Sequence, residues 1–107
     1  MRQLTVGTPA FYILLSLSSG ELHGYEMMKR VEKDSHGAVH MGPATLYTTI
    51  KRLLEAGYLA ESDERPDASM DDQRRRYYRL TPSGRDLVRE ELREMDSLVR
   101  RFSPGLV

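Results

Sequence analysis

The side chains best suited to chemistry in this chain are short hydroxyls and cations within residues 42–57, where Glu55 is the one acid. Threonine hydroxyls can hydrogen-bond to base edges and to phosphates, and lysine and arginine bind phosphates. An amphipathic helix with an ordinary solvated face is the alternative interpretation. The residue types predict contacts to nucleic acid. Thr45 and Thr48 are expected to contact base edges, and four further residues are expected to contact phosphates: Tyr47, Thr49, Lys51 and Arg52.

A helix over this stretch would present those side chains on one surface. Its apolar residues follow i, i+4, i+7, i+8 spacing, which predicts a stripe that another element must cover: Leu46, Ile50, Leu53 and Leu54. Pro43 suits the first helical turn, and Gly57 suits the left-handed position that ends a helix. Tyr47 borders the apolar stripe, so packing is its alternative role.

Three consecutive arginines form a second group of cations: Arg74, Arg75 and Arg76. They follow an acid-rich segment, residues 63–73, which is flanked by β-prone segments at 58–62 and 75–80. The pattern predicts a β-hairpin with a solvated acidic loop. Beside the helix of residues 42–57, the arginines would concentrate positive potential as phosphate-backbone binding requires. A charged hairpin edge that only prevents aggregation is the alternative.

No residue pattern in this chain predicts catalysis, a cofactor or a metal. His36 and His40 are four residues apart, but Gly37 lies between them in a predicted loop, so helical metal-ligand geometry is not expected. The chain has no cysteine, which excludes a disulfide, a thiolate zinc site and a thiol nucleophile. Neither a Ser/His/Asp arrangement nor a glycine-rich phosphate loop is present. We therefore expect a protein that is not an enzyme.

Size and charge narrow the remaining classes. The chain of 107 residues fits one compact domain, and its 16 basic and 16 acidic side chains cancel. Attraction to DNA must then come from local asymmetry, and a neutral adaptor that binds another protein is the alternative function. Without a long apolar run or a signal peptide pattern, we expect a cytoplasmic protein, associated with the nucleoid when it is bound to DNA.

Two further helices are predicted before residue 42. The first spans about residues 8–18, with Thr8 as N-cap and Pro9 at the first helical position. It is apolar almost all round, which indicates either the centre of the domain or a subunit interface. A second, amphipathic helix follows His23 and stops near residues 35–37. The three helices together predict a helix-turn-helix arrangement whose third helix enters a DNA groove.

The last predicted helix begins with Thr81 as N-cap and Pro82 in the first turn, and it ends near Phe102. Its apolar residues repeat in heptads between charges of both signs, which favours pairing with a second chain over packing on its own domain. We call this fourth predicted helix α4. Its apolar residues form the α4 seam: Val88, Leu92, Met95, Val99 and Phe102. The expected homodimer interface contains the first four seam residues, with Phe11 and Leu15 of the first helix.

Four pieces of sequence, in this order, resemble the PadR family of bacterial transcriptional regulators. They are His-Gly-Tyr-Glu at 23–26, Ala-Thr-Leu-Tyr at 44–47, Lys-Arg-Leu at 51–53 with Gly-Tyr-Leu at 57–59, and Arg-Tyr-Tyr-Arg-Leu-Thr at 76–81 with Gly84. The resemblance implies a mainly α fold with a β-hairpin wing. It implies a winged helix-turn-helix DNA-binding domain over residues 1–80 and a dimerisation helix over 81–107, within one compact unit. It also implies a homodimeric repressor of palindromic promoter DNA.

Two features depart from the family pattern. The wing loop is long and acidic, so its tip is not expected to enter the minor groove as basic wings do. The chain has no tryptophan, which drug-sensing members of the family use to stack flat ligands. The resemblance therefore identifies no small-molecule effector, and the single helix after the wing is similar to the compact branch of the family.

Overall fold

The computed structural model describes residues 6–62 and 76–106, which form four α-helices, three short strands and a terminal 3-10 turn. The elements in chain order are α1 (Thr8–Ser16), β1 (Leu22–His23), α2 (Gly24–Asp34), α3 (Pro43–Glu55), β2 (Leu59–Glu61), β3 (Tyr77–Leu80), α4 (Pro82–Phe102) and the turn Ser103–Gly105. The predicted fold class, mainly helical with a β-hairpin, is confirmed.

The sheet has the strand order β1-β3-β2, and both pairings are antiparallel. The predicted hairpin is present as the β2–β3 pair, in which Leu59 faces Leu80. Strand β1 was not predicted, since its two residues are too few to show an alternating pattern. The acidic loop at 63–73, Arg74 and Arg75 lie outside the described residues.

Helix α1 is at the centre of the domain and contacts α2, α3 and α4. Its residues Ile13 and Leu14 are completely buried, as are Met27 and Leu46 from the next two helices. Of the two environments that the apolar first helix allowed, the domain centre accounts for most of its surface. Phe11 is 3% exposed and Val88 is 6% exposed, so both belong to the core of their own chain.

The start of α1 differs from the prediction. Gly7 is the N-cap, with φ 81° and ψ 161°, and Thr8 is the first helical residue. That backbone conformation is almost restricted to glycine, which explains why the cap falls there rather than on Thr8. The helix also ends at Ser16, earlier than predicted.

The junction between α3 and α4 is tightly fixed. Gly57, at φ 83°, ends α3 as predicted. Thr81 caps α4 by accepting a hydrogen bond from the Gly84 amide at 3.0 Å, and its hydroxyl donates to the Gly57 carbonyl at 2.5 Å. A Cβ atom at Gly84 would collide with the Tyr58 carbonyl oxygen. The end of one helix therefore sets the direction of the other.

Helix α4 makes the molecule elongated. The described residues extend over 57 × 28 × 21 Å, with a radius of gyration of 15.2 Å, whereas a compact domain of this length has about 13 Å. Every described residue from Asp96 to the end is exposed, so the last third of α4 projects from the domain. No helix in the described part of the chain is long and apolar enough to span a membrane.

Candidate nucleic-acid interface

Helix α3 has one buried and one exposed face. Leu46, Ile50 and Leu53 are buried, as their spacing predicts. The opposite face brings together four of the predicted contact residues, all of them exposed: Thr45, Thr48, Lys51 and Arg52. Thr49 is half-buried at the edge of this face. The exposed face is therefore a surface of hydroxyls and cations, supported from behind by the core.

The hydroxyls of α3 are oriented by the helix itself. Thr48 Oγ1 donates to the Ala44 carbonyl at 2.9 Å, and Thr49 Oγ1 donates to the Thr45 carbonyl at 2.8 Å. A hydroxyl has one proton to donate and two lone pairs that accept. Because the proton of Thr48 is used inside the helix, its outward capacity in this rotamer is that of an acceptor.

The cations of α3 have no acid partner in the described structure. No described carboxylate lies within 4.0 Å of the Lys51 ammonium or of the Arg52 guanidinium. On α4, by contrast, Arg100 contacts Asp96 at 2.9 Å and Arg89 contacts Asp86 at 3.4 Å. The positive charge of α3 is therefore available to an external anion.

Tyr47 takes the second of its two predicted roles in this conformation. Its hydroxyl oxygen is buried, and its ring lies against Gly24 of α2. A Cβ atom added at Gly24 would approach that oxygen to 2.6 Å. In this conformation the buried oxygen lies between α2 and α3 and does not face solvent, and the assignment of Tyr47 to a phosphate contact stays a prediction.

Arg76 is the described member of the arginine run, and it lies directly before β3. Its Nε is 3.6 Å from the Glu61 carboxylate, and both side chains are half-buried. Arg79 donates to the Glu61 main-chain carbonyl at 2.7 Å. Glu61 thus contacts Arg76 through its carboxylate and Arg79 through its main chain, and its negative charge lowers the net positive charge of this region.

His23 has a structural role that the sequence did not reveal. Its Nδ1 accepts a hydrogen bond from the Glu26 amide at 3.2 Å and thereby caps α2. Its ring meets Tyr77 of β3 edge-on, with 5.7 Å between the centroids. Histidine is not among the residues preferred as an N-cap, so the residue type does not predict this role. His40 contacts Glu32 at 3.2 Å, and no group of three potential metal ligands occurs among the described residues.

The predicted dimer residues divide into two groups. Phe11 and Val88 are buried in the core of their own chain, and Leu15 and Met95 are half-buried against that core. The assignment of these four residues to an interface stays a prediction. Leu92 is 44% exposed and Val99 is 58% exposed. The apolar exposure continues through Leu98, Phe102 and Leu106. The exposed members of the α4 seam are therefore Leu92, Val99 and Phe102.

Comparisons with known proteins agree with this arrangement. Residues 13–90 match the model of the transcriptional regulator PadR-like family. The transcriptional regulator Rv3488 of Mycobacterium tuberculosis is 33% identical over 105 residues, which cover 98% of this chain and 92% of that protein.

Solved structures share the fold. A transcriptional regulator from Clostridium thermocellum superposes with a TM-score of 0.66 at 25% identity, over 89% of each chain. Bacillus subtilis PadR, solved with operator DNA, has a TM-score of 0.64 at 22% identity, over 78% of this chain and 45% of that one. The second likeness concerns the fold alone.

Proposed function

We propose that this chain, which belongs to the PadR-like family of transcriptional regulators, represses transcription by binding palindromic promoter DNA as a homodimer. The observation that carries the proposal is the exposed face of α3, where hydroxyls and uncompensated cations lie together on a chain of zero net charge. The protein would act in the cytoplasm, at the nucleoid.

In this proposal α3 lies in the major groove and reads bases with its N-terminal half. An α-helix fits this groove, and recognition helices contact base edges mainly through their first turns. Thr45 and Thr48 are in those turns. Since Thr48 presents an acceptor, it would pair with a base-edge donor, which is the N4 amine of cytosine or the N6 amine of adenine.

Phosphate contacts would flank the base contacts. Lys51 and Arg52 follow Thr48 on the exposed face, and Thr49 lies at its edge. The arginine run of the wing, Arg74 to Arg76, would add phosphate contacts from the hairpin. Such contacts orient a protein on the duplex and carry no sequence information directly.

A two-fold dimer would place two copies of α3 on the same side of the duplex. The exposed residues of the α4 seam form the surface proposed for the pairing. The α3–α4 junction would then hold each recognition helix relative to the partner. Half-sites about one helical turn apart follow from this symmetry, which is why the operator is expected to be palindromic. The solved complex of Bacillus subtilis PadR with operator DNA supports the proposal through its fold.

The test is a pair of variants, Thr48→Ala and Lys51→Ala, with binding measured by fluorescence anisotropy on promoter DNA and on a scrambled duplex across a salt series. Thr48→Ala removes a hydrogen bond to a base edge, so it should change the preference between the duplexes by about 1–3 kcal/mol for each half-site. Lys51→Ala should weaken both duplexes alike. It should also flatten the slope of log affinity against log salt by about 0.9 for each phosphate, or about 2 for a dimer.

Two outcomes decide against the proposal. If the protein binds neither duplex even at low salt, the result would favour the protein-binding adaptor. Equal effects of the two variants on preference would show that α3 does not separate base contacts from phosphate contacts. Glu55→Ala, on the same exposed face, is the control for changes in helix stability, and it should not weaken binding.

A further inference from the structure

Tyr25 is an exposed large hydrophobic side chain on α2, whereas the others in the described structure lie on α4 or just beyond it. Six large hydrophobic or aromatic side chains are exposed in the described chain, and five of them lie on α4 or just beyond it. Tyr25 is the sixth, with 47% exposure in the first turn of α2. The other five belong to the surface of α4 and the residues just after it, which does not include Tyr25.

Lys29 lies over the ring of Tyr25. Its Nζ is 4.5 Å from the ring centroid, one helical turn further along α2. A cation over an exposed ring gains about 0.5–1 kcal/mol, which is enough to bias the long side chain towards this place. The exposed tyrosine ring, which carries the hydroxyl, and the ammonium group thus lie together on the surface.

The ammonium group of this pair does not contact an acid in the described structure. No described carboxylate lies within 4.0 Å of the Lys29 ammonium. The acids nearest along α2 point to other partners: Glu26 lies 3.6 Å from His23 Nε2, and Glu32 lies 3.2 Å from His40 Nδ1. The pair therefore presents a hydroxyl donor and a cation, the combination that a phosphate binds.

The position of the pair is set by the contact between α2 and α3. Gly24, which directly precedes Tyr25, lies against the ring of Tyr47 in α3, and a larger residue would not fit there. Tyr25 therefore directly follows a residue that contacts the helix proposed to enter the groove. In helix-turn-helix proteins the helix that precedes the recognition helix crosses the DNA backbone beside that groove. In this chain that helix is α2.

We infer that Tyr25 and Lys29 together bind one backbone phosphate at the edge of the groove that α3 occupies. The hydroxyl donates one hydrogen bond to a phosphate oxygen, and the ammonium group supplies a second hydrogen bond and the charge. The inference rests on the proposed function, and it extends the DNA surface from α3 to α2.

The experiment uses the full chain with Lys29→Ala, Tyr25→Phe and Lys33→Ala, measured by anisotropy across a salt series on operator and scrambled duplexes. Lys29→Ala should lower affinity for both duplexes alike and flatten the salt slope by about 2 per dimer, from 0.9 for each phosphate. Tyr25→Phe keeps the ring and removes only the hydroxyl. It should weaken binding about tenfold per half-site without changing the slope.

Lys33→Ala is the matched control. Lys33 is also exposed on α2 without an acid partner in the described structure, but it lies eight residues beyond Tyr25, about 12 Å along the helix. It should leave the slope unchanged. If Lys29→Ala and Lys33→Ala flatten the salt slope equally, Lys29 contributes only its general positive charge, and the inference is overturned.

Lys51→Ala separates this inference from the proposed function. A flattened slope for Lys51→Ala with an unchanged slope for Lys29→Ala overturns the phosphate site on α2 and leaves the function of α3 standing. Unchanged slopes for both overturn the function as well. Urea denaturation of each variant establishes that the differences arise in the folded protein.

Discussion

Replacing Val99 and Phe102 with serine should abolish the proposed homodimer and leave the fold of each chain intact. Val99 and Phe102 are 58% and 60% exposed in the single chain. Full burial of a valine or phenylalanine side chain contributes about 1.5–3 kcal/mol, so burying the exposed part of both contributes about 3.5–7 kcal/mol per dimer. Since each 1.4 kcal/mol is tenfold, the dimer Kd should rise by at least about 300-fold.

The assay is sedimentation velocity over a range of protein concentrations, with urea denaturation at low concentration to follow the single chain. The control is a second pair of exposed residues on the same helix, Glu90→Ser with Arg93→Ser, which keeps the net charge and leaves the α4 seam untouched. It should sediment as the parent protein does. An unchanged dimer mass for Val99→Ser with Phe102→Ser would refute the placement of the interface, and a monomeric parent would refute dimerisation itself.

Two further predictions concern the α3–α4 junction and use urea denaturation of the single chain. Gly84→Ala should destabilise the fold by about 1–3 kcal/mol because its methyl group meets the Tyr58 carbonyl; unchanged stability would mean that α4 can shift without cost. Thr81→Ala should cost about 0.5–2 kcal/mol through loss of the cap, whereas Thr81→Ser should retain most of it, and an equal loss in both would exclude the hydroxyl as the cause.

The helices that carry the proposed functions could be predicted because their signals are local. Proline in the first turn and glycine in the left-handed position bound α3, and the Thr81 cap begins α4. Between these ends, the 3.6-residue period distinguishes the buried face from the exposed one. A local rule also explains the miss at α1, since Gly7 takes a backbone conformation that Thr8 cannot adopt easily.

The features that the sequence could not predict depend on contacts between distant parts of the chain. A heptad pattern predicts that Val88 and Val99 share one face of the helix. It does not predict that this face packs on the chain's own core at Val88 and is exposed at Val99. Tyr47 borders the apolar stripe, and only the absence of a side chain at Gly24 shows where its hydroxyl lies. Strand β1 exists through its pairing with β3, so it has no period of its own.

Zero net charge does not oppose DNA binding when the charges are segregated. On α4, acids and arginines one turn apart form pairs at 2.9 Å and 3.4 Å, so that helix is close to neutral at short range. On α3, Lys51 and Arg52 have no such partner within the described structure. At physiological ionic strength, charges are screened over about 8 Å, so an approaching phosphate responds to the charges nearest to it. The field at the groove is therefore that of α3 and of the Tyr25–Lys29 surface, and the balanced total of the chain has little influence there.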